Sequence, residues 1–295
     1  MKSDDKNEEF KAIGIVSKPL KDKNISVLNA LIKWLEEKGK KVFLDKDTAS
    51  FAENFKGTVC RKSDLPNHVE LIIVLGGDGT FLSVARIVIK KNIPILGVNL
   101  GSLGFLTETP LDNMYNSLDA VFTGQYKTDQ RLMLRAHVHR QGERIAEYTA
   151  LNDIVINKGA IARIITMSTY VDHKFVTTYR ADGLIISSPT GSTAYSLAAG
   201  GPIIYPDLDV IVVSPICPHS LGNRSIVIPA SCSIEITLES QTEDVFLTLD
   251  GQVGFTLRAN DVVEIKKADT TIKLIQNLDR NYFEILRTKL GWGDS

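Results

Sequence analysis

The sequence predicts a chain of two halves, an α/β half with a parallel sheet followed by a β-rich half built as a sandwich. Three observations carry this. Up to about residue 125, short β-branched runs alternate with stretches whose apolar residues recur at helical spacing, which is how strands linked through helices enter one parallel sheet. From about Tyr126 helical periodicity largely vanishes, and short apolar runs recur between turn residues. The length of 295 residues is enough for two hydrophobic cores.

The elements of the first half follow in order. The opening Met1–Glu9 is charged, has no apolar centre and reads as a loose tail, not a signal peptide. Ala12–Val16 is a first strand. Ile25–Lys38 carries Val27, Leu28, Leu31, Ile32 and Leu35 on one helical face, and Gly39 ends it. Lys41–Leu44 is a second strand, and a helical stretch is expected around Asp47 to Phe55. Glu70–Leu75 is an apolar run of buried-strand type. Three glycines follow almost at once, and Thr80–Val88 then has helical spacing. Pro94–Asn99 gives another strand and Asp112–Phe122 a short helix.

In the second half, strands are expected at Ile161–Tyr170, Phe175–Arg180, Ile226–Pro229, Ser233–Leu238, Val245–Leu249 and Val262–Lys266. His137 and His139 share one face of a strand, but two ligands do not hold a metal and no third stands nearby in the sequence. The last stretch, Tyr282–Trp292, is amphipathic. Composition narrows the function. Lys and Arg number 34 against 35 Asp and Glu, so no general affinity for nucleic acid or anionic membranes is expected. Three cysteines without C-x-x-C spacing read as reduced thiols in a cytoplasmic protein. No apolar run reaches the length of a membrane span.

Chemistry concentrates at two places. Gly76-Gly77-Asp78-Gly79-Thr80 joins a strand to a helix, where residues without side chains let a phosphate approach the backbone and free amides point towards it. A carboxylate in the middle of such a turn repels phosphate unless it meets a metal ion or accepts a proton. A plain tight turn would use the same residues. After the next strand, Leu100–Thr107 places Phe105 beside this loop. The second place is Arg180 to Pro202, where a strand ends in Pro189-Thr190-Gly191-Ser192-Thr193 and Ala194–Ala199 favour a helix that Ser192 or Thr193 can cap. Arg180 and Asp182 precede it. Asn152-Asp153 sets an amide beside a carboxylate, suited to clasping the vicinal hydroxyls of a ribose, although a turn is equally compatible. Leu249-Asp250-Gly251-Gln252 reads as a hairpin turn.

Together these blocks resemble the NAD kinase family. GGDGT at 76–80 is also shared with diacylglycerol-type lipid kinases and phosphofructokinases. DGLIISSPTGSTAYSLAAGGPI at 182–203 is far more specific, and LGSLGFLTE at 100–108, VSPICPHSL at 213–221 and LDGQ at 249–252 accompany it. The likeness runs from about Ala12 to Gly291. It implies a Rossmann-like, phosphofructokinase-like domain over residues 1–125, an NAD-binding β-sandwich over 126–280 and a C-terminal helix or tail, 281–295, that packs back on the first domain.

The activity implied is transfer of phosphate from ATP, with a divalent ion such as Mg²⁺, to the ribose 2′-hydroxyl of NAD, which would lie in the cleft between the domains. Asp78 would take the proton and, with Gly79, touch NAD; Gly76, Gly77, Gly79 and Thr80 form the phosphate loop. Phe105, Asn152 and Asp153 would hold NAD, with Thr193, Ala194, Tyr195, Ser196, Leu197 and Ala198 along the adenine side. Asp182 is expected at the nicotinamide end, from a neighbouring subunit where the chain assembles as a homodimer or homotetramer. Arg163, Arg180 and Gln252 fall at ligand positions whose identity varies in the family, and Asp153 stands where many relatives have glutamate. No metal ligands can be named. A lipid kinase would share the glycine loop but lack TGSTAY, and a module that only senses NAD would not need Asp78.

Overall fold

Strand β4 (Leu71–Gly76) is buried along its whole length, as a run of Leu, Ile and Val covered on both faces must be. It belongs to a computed structural model that describes residues 10–19, 22–101, 103–159, 163–241, 244–276 and 281–292. The chain divides into two compact units. The first is Met1–Gln130 with Ile272–Ser295, and the second is Arg131–Thr271.

In the first unit the elements are β1 (Ala12–Ser17), α1 (Asp22–Glu37), β2 (Lys41–Asp45), α2 (Lys46–Ala49), β3 (Thr58–Cys60), β4, α3 (Asp78–Val88), β5 (Ile95–Asn99), β6 (Thr109–Pro110) and α4 (Met114–Phe122). Strands β5, β4, β1, β2 and β3 lie side by side in that order, all parallel. Helix α1 buries Leu28, Leu31, Ile32 and Leu35 on one face, each stabilising the unit by about 1.5–3 kcal/mol; Val27 is only half-buried. Gly39 follows it with φ 73°, a left-handed stop that favours glycine. The helix expected over 47–55 is only the single turn α2, because the chain soon passes through Asn54 at φ 54°, which no helix continues. Strand β3, three residues long, escaped the sequence pattern.

The second unit holds most of β7 (Thr128–Arg140), β8 (Glu143–Ala150), β9 (Asp153–Lys158), β10 (Ile165–Val171), β11 (Lys174–Ala181), β12 (Gly183–Ser187), α5 (Tyr195–Ala198), β13 (Val210–Ile216), β14 (Ile226–Pro229), β15 (Ile234–Leu238), β16 (Val245–Leu249), β17 (Val253–Leu257) and most of β18 (Val262–Ile275). Strands β14, β13, β12, β9, β16 and β17 form one antiparallel sheet; β11, β10, β15, β18, β7 and β8 are the other set, hydrogen-bonded to one another in that order. Alternating residues of both, among them Leu134, Ile154, Ile156, Met167, Ile186, Leu247 and Ile265, make one core, the interior of a sandwich. Strand β18 is fourteen residues long, well beyond the expected 262–266. Its last residues pair in parallel with β5 at Leu274 and Ile95. Residues 161 and 162 of an expected strand lie outside the described residues. Helix α6 (Tyr282–Leu290) closes the described chain with Asn281 and Glu284 in a reciprocal N-terminal cap. No described helix is long and apolar enough to cross a membrane.

Candidate functional site

The glycine turn of the first unit sits where parallel sheets bind ligands, beyond the carboxyl end of β4. Helix α3 starts there with Gly77 as its N-cap and no side-chain cap. Gly76 has little room, since a Cβ would stand 2.7 Å from Thr80 Oγ1, whereas around Gly77 the space is open.

Asp78 is anchored from the segment after β5. Its Oδ1 accepts from the backbone N–H groups of Leu106 (3.0 Å) and Thr107 (3.1 Å) and from the Thr107 hydroxyl (3.2 Å). Its Oδ2 accepts from Phe105 N–H at 2.9 Å. Thr107 Oγ1 accepts in turn from the Asn99 side-chain amide at 3.2 Å. This explains Gly104, where a Cβ would fall 2.1 Å from Asp78 Oδ1. A carboxylate offers about four acceptor positions. Oδ1 is crowded and Oδ2 has one donor, so Oδ2 is the atom with capacity left for a proton. Phe105, half-buried, has Lys289 Nζ of α6 6.0 Å from its ring centre. Ser102 of the same loop lies outside the described residues. Lys62, which the sequence reading passed over, bonds Ser83 Oγ on α3; burial, working against the pull of Asp45 and Asp47, lowers the pKa of its amine.

In the second unit, Asn152 and Asp153 lead into β9. Their backbone is clamped by Asp250, from the β16–β17 turn, whose carboxylate accepts from the N–H groups of Leu151 (3.1 Å), Asn152 (2.7 Å) and Asp153 (3.3 Å). Asp250 and Gly251 have φ of 50° and 63°, as a tight hairpin turn requires. The Pro-Thr-Gly-Ser-Thr segment packs on the other side: Ser188 N–H donates to Asn152 O, and a Cβ on Gly191 would lie 2.1 Å from that oxygen.

These pieces surround a cavity of about 320 Å³ lined by Asn152, Asp153, Ala194, Tyr195, Asp250 and Gly251, among others. Two polar groups there lack what they need. Asn152 Oδ1 is buried with no hydrogen-bond partner. Asp153 is 4% exposed, and its carboxyl is pushed up to about 7, first by burial and then by the charge of Asp250. An unsatisfied buried acceptor costs about 1–3 kcal/mol, which a ligand hydroxyl would recover.

Several sequence-predicted residues take other places. Ser192 and Thr193 do not cap a helix. Thr190–Thr193 is a 3₁₀ turn and α5 has only four residues, with Ala194 as an N-cap that makes no side-chain bond. Ser192 Oγ is occupied with Pro189 O and Ile204 N–H, and Thr193 Oγ1 with Thr190 O. Of the run to Ala198, Ala194 and Tyr195 line the cavity. Ser196 is buried against Ser214 at 3.2 Å, and Leu197 and Ala198 lie half-buried and exposed. Arg163, Arg180 and Gln252 are exposed, and Asp182 is 3.7 Å from Lys158; none of the four lines the cavity. Folding brings Glu264, distant in sequence, to His137 and His139.

The ATP-NAD kinase N-terminal domain model matches residues 13–126, and the ATP-NAD kinase C-terminal domain model matches 151–277. A curated NAD kinase of Syntrophotalea carbinolica is 51% identical over 285 residues, and one of Geotalea daltonii 48% identical over 285 residues; each alignment covers 97% of this chain and 100% of the relative. Among solved structures, yeast NADH kinase complexed with NADH has a TM-score of 0.90 at 27% identity, covering 98% of this chain and 89% of that one. An NAD kinase from Archaeoglobus fulgidus in complex with ATP has a TM-score of 0.74 at 25% identity, covering 94% and 99%.

Proposed function

The chain belongs to the ATP-NAD kinase family, and from that premise we propose that it transfers the γ-phosphoryl group of ATP to the 2′-hydroxyl of the adenosine ribose of NAD, yielding NADP. The observation that carries the acceptor side is the buried, unpartnered Asn152 Oδ1 next to the near-neutral Asp153 carboxyl. Amide and carboxyl together accept from and donate to vicinal hydroxyls, which is what a ribose presents.

Asp78 Oδ2 takes the proton from the 2′-hydroxyl as that oxygen bonds to the γ-phosphorus, and the bond to the β–γ bridging oxygen breaks to release ADP. A positioned general base contributes about 10²–10⁴-fold, here by accepting the proton and by orienting the hydroxyl. Alignment and phosphate neutralisation supply the rest. The three backbone amides on Asp78 hold its carboxylate in one orientation, so aiming the acceptor costs no reorganisation. A divalent ion such as Mg²⁺, bound with the nucleotide, would offset phosphate charge. Gly76, Gly77, Gly79 and Thr80 admit the phosphates, and Phe105 helps to hold NAD. Thr193 to Ala198 form the adenine side, with Asp182, Arg163, Arg180 and Gln252 towards the rest of NAD.

The reading includes a homodimer or homotetramer working in the cytoplasm; the free thiols Cys60, Cys217 and Cys232 suit a reducing compartment. The test is purified protein with NAD, ATP and Mg²⁺, read by an NADP-specific dehydrogenase. NADP formation is expected. Phosphorylation of a diacylglycerol or sphingoid base, with none of NAD, would overturn the proposal.

A further inference from the structure

We propose that His137, His139 and Glu264 form a binding site for a divalent transition-metal ion of the Zn²⁺ class, which ties β7 to β18 within the second unit. His137 and His139 are two apart on β7 and so share a face; β18, the neighbouring strand, supplies Glu264. Their ligand atoms all lie within 4.8 Å of one another, the one such group of three among the described residues.

The separations approach what a metal asks for. Glu264 Oε2 is 3.2 Å from His137 Nδ1 and 3.7 Å from His139 Nε2. Ligands about 2.0–2.2 Å from a tetrahedral ion stand about 3.3 Å apart. Small rotations of the side chains would close the set, and the rings already stand at 85° to each other. Two imidazoles and one carboxylate leave one position open, a set that suits Zn²⁺ more than the oxygen-seeking Mg²⁺.

The surroundings support this. Glu147 Oε2 on β8 stands 3.5 Å from His137 Nε2, within reach of accepting that N–H once the ring ligates through Nδ1, the carboxylate–histidine–metal arrangement that fixes a ring and its tautomer. Lys266 pairs with Glu264 through the other oxygen, Oε1, and leaves Oε2 to the histidines. Its positive charge opposes a second cation and weakens the site relative to one without it. The side chains of His137, Glu264 and His139 are 19%, 22% and 31% exposed, sheltered enough to hold an ion and open enough to admit one.

The test is titration of chelator-stripped, full-length protein with ZnCl₂ alone, without nucleotide or Mg²⁺, against a chromophoric competitor, with thermal melting in parallel. One equivalent per chain and a melting temperature raised by several degrees are expected. Both should vanish in His139→Gln and Glu264→Gln, whose circular dichroism in EDTA checks that they fold. Glu147→Gln should weaken binding by about 10-fold or more. His173→Gln, which removes the exposed histidine paired with Glu235, should leave the equivalent in place. Failure to bind one saturable equivalent, or a stoichiometry and affinity unchanged in His139→Gln and Glu264→Gln, would overturn the proposal.

Discussion

Replacing Asp153 by asparagine keeps the side chain's size and removes its ability to ionise. In the folded chain the carboxyl is raised from 3.8 to about 7 by burial and by Asp250. The folded state therefore keeps a proton that the unfolded chain gives up. Stability linked to this group is complete below about pH 4, falls as the pH rises, and is fully lost once the pH passes about 7. Three units at 1.36 kcal/mol each bound the loss at about 4 kcal/mol; relaxation of the cavity brings the expected figure to about 2–4 kcal/mol. Asparagine carries no such penalty. Asp153→Asn should gain on the parent chain by about 2–3 kcal/mol as the pH rises from 5 to 8. Urea unfolding without nucleotide measures it, followed by far-UV circular dichroism, because Trp34 and Trp292 both lie in the first unit and report little on this cavity. A difference between the two proteins that is flat from pH 5 to pH 8 would refute the reasoning.

Asp78→Asn can keep its oxygen at the Oδ1 position and so three of four hydrogen bonds; it should fold and lower kcat by roughly 10²-fold or more with little change in KM for NAD, and near-parental turnover would remove Asp78 as the base. Gly104→Ala drives a methyl to 2.1 Å from Asp78 Oδ1 and 2.4 Å from Thr107 Oγ1; a stability loss of about 1–3 kcal/mol and a fall in kcat are expected from melting and steady-state assays. Asp250→Ala strips the shared acceptor from three backbone N–H groups, a loss of about 3 kcal/mol or more. It should raise KM for NAD at least about 10-fold and KM for ATP much less. A change confined to the ATP constant would place this corner on the donor side.

What the sequence made legible was local. A buried apolar run, three glycines and a helical period fix β4, its turn and α3, because each signal sits within a few residues of the next. Strands β14 and β16 run over the residues expected, Ile226–Pro229 and Val245–Leu249, since turn residues bracket them closely. The failures share a cause. The length of β18 is set by its partners on either side and not by its own polar middle, Lys266 to Thr271. Ser192 looked like a cap because its hydroxyl could reach a helix start; in the fold it is drawn to Ile204, twelve residues on. Asp250 looked like turn chemistry and is that, but its carboxylate also gathers amides almost a hundred residues away. Glu264 joins the histidines across a similar gap. Cues for these would have had to be sought in which strands pair, which one sequence does not state.

The two carboxylates the proposed reaction depends on are treated in opposite ways. Asp78 is surrounded by donors: three backbone amides and a hydroxyl meet its charge. Asp153 is buried beside another carboxylate and loses its charge near neutrality. Both treatments suit the roles proposed. A base must point one way, and the three amides and the hydroxyl fix the plane of the Asp78 carboxyl. A ribose hydroxyl both donates and accepts, and a protonated carboxyl can meet it either way where a carboxylate only accepts. A neutral clasp also avoids setting a negative charge beside the pyrophosphate of NAD, where like charges in a low-dielectric pocket would repel. Asp250 joins the two requirements in one side chain: its charge raises the carboxyl of Asp153 while its oxygens hold the backbone that carries it. Exchanging the two environments would leave a base without its charge and a clasp without its proton. In the proposed reaction an aspartate inside a glycine turn and an aspartate beside an asparagine, alike in composition, would thus serve different halves.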